Sequence, residues 1–215
     1  MIQVLIADDH LLVRQGIRAF LEQEEEIQIV GEAGDGEEAL VLVKKLNPDI
    51  LLLDIAMPQL SGLLVIRHIQ DLDLKTKVIM VSMYAENALV LQVIQNGAKG
   101  YILKSSAMEE LIQAIKLVHN GKVYFSPEIM EILVARIARP NEIGNGDITD
   151  LLTGREIEIL HLISEGETNA GIAAKMHIGV KTVEKHRSNI MAKLNIHSTA
   201  GLVKYAIKHG LAFLN

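Results

Sequence analysis

Four residues of this 215-residue chain have the types and the spacing to do chemistry together: the adjacent Asp8 and Asp9, Asp54, and Lys104. Each follows a short apolar run, Val4-Leu5-Ile6 before Asp8, Ile50-Leu51-Leu52-Leu53 before Asp54, and Tyr101-Ile102-Leu103 before Lys104. Such runs read as strands buried on both faces of a parallel sheet, and ligands sit outside the carboxyl ends of those strands. Three carboxylates crowded at one sheet edge repel one another unless a divalent cation joins them, and oxygen ligands with water remaining suit Mg²⁺. A lysine facing them completes a pocket for a phosphoryl group. One carboxylate after a strand is ordinarily a helix N-cap; three together with a lysine point to a site.

The elements that must position these residues are legible in the first 120 positions, where apolar runs alternate with amphipathic stretches in the manner of βαβ units. Further runs lie at 27–30 and 78–81, giving five strands. Val13, Ile17, Phe20 and Leu21 recur at helical spacing, as do Leu111, Ala114, Ile115 and Val118, with Gly121 placed to cap the latter helix. A possible helix over 127–138 is followed by Arg139-Pro140-Asn141 and Gly144-Asn145-Gly146-Asp147, which read as a linker. Beyond it the strand signal vanishes and four short helices remain. The expected organisation is an α/β domain over 1–121, a connecting segment over 122–148 and an all-α domain over 149–215.

Composition narrows the function. With 3% aromatic residues and no tryptophan there is no stacking platform for single-stranded nucleic acid. The lack of cysteine excludes disulfides, thiolate catalysis and sulfur-ligated zinc, and suits a reducing compartment. No apolar run approaches the roughly 20 residues of a membrane helix, and the chain opens on a strand pattern, so a cytoplasmic protein with no membrane partner is expected. The net charge of −6 is unevenly spread: residues 1–120 hold 10 Lys and Arg against 17 Asp and Glu, residues 147–215 hold 8 against 7. A second domain so weakly basic binds DNA only if its cations are focused on one face.

The segments Val4-Leu5-Ile6-Ala7-Asp8-Asp9-His10, Leu53-Asp54-Ile55-Ala56-Met57-Pro58 through Gly62, and Gly97-Ala98-Lys99-Gly100-Tyr101-Ile102-Leu103-Lys104 together resemble the receiver domain of bacterial response regulators. The resemblance implies a flavodoxin-like five-stranded parallel sheet in which Asp54 accepts a phosphoryl group from the phosphohistidine of a sensor histidine kinase. It further implies that Asp8, Asp9, Asp54 and the backbone carbonyl of Ala56 hold Mg²⁺, and that Ser82 and Lys104 bond the phosphoryl oxygens. Ser82 drawn towards the phosphoryl group would vacate space for Tyr101 to rotate inward, a packing switch that reshapes the surface of the fourth and fifth strands. Ala56 and Tyr84, at the positions that influence hydrolysis in this family, offer no base for activating water, so slow self-dephosphorylation is expected and no enzymatic activity beyond it.

In the second domain Thr153-Gly154-Arg155-Glu156 is a capping box, Thr168 caps the next helix, and Met176-His177-Ile178-Gly179 joins two short helices as in a helix-turn-helix. On the following helix Val183, His186, Ile190 and Leu194 form the inward face, with Lys181, Lys185, Ser188 and Ala192 opposite. Leu152 to Glu156, Lys181 to Arg187 and Met191 to Leu194 resemble the LuxR-type DNA-binding domain, and its combination with a receiver is that of the NarL/FixJ response regulators. The resemblance implies that Glu184, Lys185 and Ser188 face bases in operator DNA, that Lys181 and Thr182 approach its phosphates, that Asn169 also binds the DNA, that Val203 and Ala206 on the last helix dimerise, and that RNA polymerase is a further partner. Two rival readings stand beside it. An aspartyl-phosphate phosphohydrolase would need a second acid two residues after Asp54, where Ala56 stands; a signalling adaptor would use the helical domain to bind protein.

Overall fold

The computed structural model describes residues 1–85, 87–106, 108–138, 152–176, 178–208 and 211, and divides into two compact units, 1–142 and 143–215. The segments Arg139-Pro140-Asn141 and Gly144 to Asp147, read above as a linker, lie outside the described residues.

The first unit is built on β1 (Ile2–Ala7), β2 (Ile27–Ala33), β3 (Ile50–Leu53), β4 (Lys77–Ser82) and β5 (Gly100–Leu103), alternating with α1 (Leu11–Leu21), α2 (Gly36–Leu46), α3 (Gly62–Asp71), α4 (Asn87–Gln95) and α5 (Met108–His119). All pairings are parallel in the order β2-β1-β3-β4-β5, so the strand order reverses at β1/β3, the crevice where sheets of this kind place ligands. Every residue of β3 is buried. Ile50 and Leu52 pack with Ile17 and Leu21 of α1 and with Leu111, Ala114, Ile115 and Val118 of α5. Leu51 and Leu53, alternating with them, point to the opposite face. That two-sided burial is why the run lacks polar alternation. Asp35 caps α2 by accepting from the Glu38 backbone N–H, and Gly121, at φ +80°, follows α5 as expected.

A sixth strand extends the expected five. β6 (Tyr124–Phe125) pairs parallel with Gly100 and Tyr101, covering the hydrogen-bonding edge that β5 would otherwise expose. Two residues carry no periodicity, which is why the sequence does not announce them. The helix expected over 127–138 forms as α6 (Pro127–Ala138) and packs on α4.

The second unit is all-helical: α7 (Gly154–Ser164), α8 (Asn169–Lys175), α9 (Val180–Leu194) and α10 (Thr199–Lys208). The capping box forms at Thr153 and Glu156, and Thr168 accepts from the Gly171 backbone N–H. α7 packs on α8, α9 and α10, and Ile159, Leu160, Ile172, Val183, Ile190 and Leu202 are fully buried. No described helix in either unit is long and apolar enough to cross a membrane.

Candidate functional site

β1, β3, β4 and β5 end side by side, and parallel pairing delivers Asp8, Asp54, Ser82 and Lys104 to one edge. The backbone continues the ladder past the strands: Asp54 N–H donates to the Ala7 carbonyl at 2.8 Å and Lys104 N–H to the Ser82 carbonyl at 2.8 Å. The Lys104 ammonium lies between two buried carboxylates, 2.6 Å from Asp8 Oδ2 and 2.7 Å from Asp54 Oδ2, and all three side chains are less than a tenth exposed. Asp54 Oδ1 accepts the Ile55 backbone N–H at 2.7 Å.

Burial raises the Asp54 carboxyl above the ordinary aspartate range, against the pull of Lys104 and with the repulsion of Asp8 added. Burial works against the Lys104 charge, but its bonds to Asp54 and Asp8 outweigh this and hold its affinity for the proton above that of a free lysine. The pocket therefore keeps a cation against carboxylates that water no longer stabilises, an arrangement sensitive to any added charge.

Asp9 is more exposed than Asp8, and its Oδ1 lies 2.7 Å from His10 Nδ1. Ligand atoms of Asp8, Asp9, His10 and Asp54 fall within 4.8 Å of one another, so the three expected carboxylates converge and His10 joins them. Its backbone N–H bonds Asp8 Oδ1 at 2.9 Å, although its side chain makes no cap bond to α1. The donor set fits a hard divalent cation: the carboxylates supply oxygens, and the exposure of Asp9 leaves room for water. Ala56 is partly buried two residues beyond Asp54.

The switch residues differ from expectation in one respect. Tyr101, expected to rotate inward, is already completely buried, its hydroxyl donating to the Tyr84 carbonyl at 2.7 Å. Ser82 is also fully buried, and its Oγ accepts the Tyr84 backbone N–H at 3.2 Å. The Tyr84 peptide groups thus link the two residues, a connection no side-chain pattern reveals. Gly62 has a comparable hidden role. A Cβ there would stand 2.1 Å from the Asp54 carbonyl oxygen, so α3 can start against the Asp54 backbone only with glycine at this position.

In the helical unit, α9 exposes Lys181, Thr182, Glu184, Lys185 and Ser188 together and buries Val183 and Ile190. Gly179 occupies the N-cap without a side-chain bond. Asn169 is partly buried, its Oδ1 accepting from Arg187 Nη1 at 3.0 Å, while Arg187 Nη2 donates to Thr199 Oγ1 at 2.5 Å. Arg187 therefore ties the starts of α8 and α10 to α9. Arg155 Nη2 clamps the Met176 carbonyl at 2.8 Å. The expectation that Val203 and Ala206 are both displayed needs correction: Ala206 is fully buried and Val203 only partly exposed. Ala206 lies one turn beyond the equally buried Leu202, on the side of α10 that packs inward, and its small size suits close approach rather than display.

A parallel sheet with this strand order, three carboxylates and a lysine at its switch point, joined to a four-helix unit with an exposed polar helix face, defines a receiver-type signalling protein with a helix-turn-helix output domain. Residues 4–116 match the response regulator receiver domain family, and residues 150–206 match the bacterial regulatory proteins of the luxR family. Oxygen regulatory protein NreC of Staphylococcus haemolyticus is 38% identical over 213 residues, spanning 97% of this chain and 98% of that protein. Among solved structures, the receiver domain of the putative response regulator NarL from Mycobacterium tuberculosis is 37% identical with a TM-score of 0.55, covering 56% of this chain and 98% of that one. A response regulator RcsB–DNA complex is 28% identical with a TM-score of 0.60, covering 96% and 98%. The chain belongs to the NarL/FixJ family of two-component response regulators, with a receiver and a LuxR-type DNA-binding domain.

Proposed function

We propose that Asp54 is the phosphoacceptor, that the phosphodonor is the phosphohistidine of a sensor histidine kinase, and that the modified chain binds operator DNA as a homodimer to regulate transcription, with RNA polymerase as a downstream partner. The observation that carries this reading is the Lys104 ammonium held within 2.7 Å of both Asp8 and Asp54 at the strand edge. An Asp54 carboxylate oxygen attacks phosphorus, the bond from phosphorus to the histidine nitrogen breaks, and the imidazole leaves with the electron pair. Phosphoryl transfer demands positioning and charge neutralisation. Lys104 supplies a cation already in place, and the Ile55 backbone N–H keeps the Asp54 carboxylate oriented. Asp8, Asp9, Asp54 and the Ala56 carbonyl would hold Mg²⁺, which when bound offsets the charge of the phosphoryl oxygens.

The product carries more charge than the carboxylate it replaces and offers strong acceptor oxygens. Lys104 and the Ser82 hydroxyl move to these acceptors. Ser82 then releases the Tyr84 N–H, and the link through Tyr84 to the Tyr101 hydroxyl passes the change to the β4 and β5 side of the receiver. Residues 1–121 form the phosphoacceptor domain, 122–148 the connection, and 149–215 the DNA-binding domain. There Glu184, Lys185 and Ser188 face base edges in the major groove, while Lys181, Thr182 and Asn169 serve the phosphates. Dimerisation, to which the partly exposed Val203 contributes, doubles the contacts of a domain with few cations. A regulator acting on chromosomal DNA works in the cytoplasm.

The test is incubation with acetyl phosphate, with and without Mg²⁺, followed by peptide mapping of the acid-labile phosphate. Modification confined to Asp54 and dependent on Mg²⁺ is expected; modification elsewhere, or equal labelling of Asp54→Asn, would remove Asp54 from the role.

A further inference from the structure

We infer that Arg14 is the positioning residue of the acidic pocket: by holding the main chain of Asp8, it sets the aim of the Asp8 and Asp9 carboxylates towards the divalent cation. The inference rests on the reading of this pocket as a Mg²⁺-dependent phosphoryl site.

Arg14 leaves the start of α1 and turns back towards the end of β1, where its Nη1 donates to the Asp8 carbonyl oxygen. Its side chain is only 14% exposed, and the Nε is buried without a hydrogen bond, 3.6 Å from Glu32 Oε2 on β2. A guanidinium taken this far out of water needs a compensating charge, and Glu32 supplies it. Yet Glu32 does not require Arg14. Its other oxygen already accepts from Arg18 Nη1 at 2.6 Å, and Arg18 in turn binds Glu22 at 2.8 Å. Among the described residues, the contact that only Arg14 makes is the one to the Asp8 carbonyl.

The consequence for Asp8 follows from its remaining bonds. Its N–H donates to the Ala33 carbonyl at 3.2 Å, so with Arg14 on the carbonyl both main-chain polar groups of Asp8 are held. The side chain is left to swing about its own torsions only, between the His10 N–H on Oδ1 and the Lys104 ammonium on Oδ2. Asp9 leaves the same peptide group and is aimed with it. Because Glu32 balances the Arg14 charge, the guanidinium constrains the pocket without placing an uncompensated cation behind it. Partners that orient ligands in this manner typically change metal affinity by about 10–100-fold when removed. A merely structural Arg14 would instead pin α1 to β2, lowering stability and leaving metal affinity alone.

The experiment titrates Mg²⁺ calorimetrically into the full chain, wild type and Arg14→Met, Arg14→Lys and Glu32→Gln, with Tm recorded for each. Arg14→Met is expected to weaken Mg²⁺ binding about 10–100-fold. It should raise by a similar factor the Mg²⁺ needed for half-maximal labelling by acetyl phosphate, while the rate at saturating Mg²⁺ stays near wild type. Arg14→Lys recovers part of the loss, since an ammonium can reach the Asp8 carbonyl but lacks the fork to meet Glu32 as well. Glu32→Gln lowers Tm and, by leaving the guanidinium unbalanced behind the pocket, weakens Mg²⁺ binding less than Arg14→Met does. Wild-type affinity in both Arg14→Met and Arg14→Lys overturns the inference and leaves the pocket reading standing, whereas a wild-type chain that binds no Mg²⁺ overturns both.

Discussion

Replacing Lys104 by methionine isolates the electrostatics of the pocket. The side chain is 8% exposed and its two partners 3% each, so Lys104→Met leaves two buried carboxylates facing one another with no cation. Removing one partner of a buried ion pair costs about 3–5 kcal/mol. The loss has a ceiling, because a carboxyl can take up a proton instead of remaining charged. At pH 7 that costs about 4 kcal/mol for a group whose free pKa is near 3.9, at about 1.4 kcal/mol per pH unit, and at pH 5 about 1.5 kcal/mol. Asp54 is the group to protonate, since burial already raises it. A carboxyl raised in the folded state binds protons that the unfolded chain does not, so stability falls as pH rises between the two values. The variant should therefore lose about 3–4 kcal/mol at pH 7 and only about 1.5 kcal/mol at pH 5. Mg²⁺ at a hundredfold excess over its Kd restores roughly 2.7 kcal/mol. Urea unfolding of the full chain at pH 5, 6 and 7 measures this through tyrosine fluorescence, since three of the four tyrosines, Tyr84, Tyr101 and Tyr124, lie in the first unit. A loss below about 1 kcal/mol at pH 7, flat across the range, would refute the claim that Lys104 compensates both carboxylates.

The helical unit carries a second pH signature. Burial opposes the Glu156 charge, but bonds from Lys193 and Thr153 prevail and hold the carboxyl below its usual range, so its contribution is full above the unfolded pKa and disappears as pH falls through the folded one. Glu156→Gln should flatten the acid limb of unfolding of that unit, and Thr153→Ala should cost about 1 kcal/mol at neutral pH. Gly62→Ala, whose Cβ would collide with the Asp54 carbonyl, is expected to abolish labelling by acetyl phosphate even where circular dichroism shows the sheet intact. Ala206→Asp should unfold the helical unit because position 206 is buried, whereas Val203→Asp should leave it folded and weaken dimers in sedimentation experiments. With Ala56 and Tyr84 offering no base, the phosphorylated chain should persist for minutes or longer, a duration checked by acid-quenched time courses; complete loss within seconds would contradict it.

The acidic pocket was legible in the sequence because burial on both faces leaves each strand an unbroken apolar run, and the residue ending the run is then marked by contrast. β3 followed by Asp54 is the clearest instance. Capping chemistry was legible for the same reason of locality, since Thr153 and Glu156 meet across a single turn. What escaped depends on contacts to backbone atoms, made across turns and between neighbouring strand ends. The reach of Arg14 back to Asp8, the Tyr84 link between Ser82 and Tyr101, and the absence of space at Gly62 all involve backbone atoms. Side-chain patterns carry no trace of them. The burial of Ala206 leaves no mark in the sequence because alanine is compatible with either face of a helix, and the packing of α10 against α7 decides between them.

The central claim, that phosphorylation at Asp54 controls DNA binding by the helical domain, is tested most directly by duplex binding across genomic fragments and a salt series. Binding is measured with and without acetyl phosphate plus Mg²⁺, for the wild type and Asp54→Ala. The donor is expected to strengthen sequence-selective, salt-sensitive binding by the wild type and to leave Asp54→Ala unchanged. Duplex binding absent from both proteins under every condition, or strengthened equally in both by the donor, would contradict it.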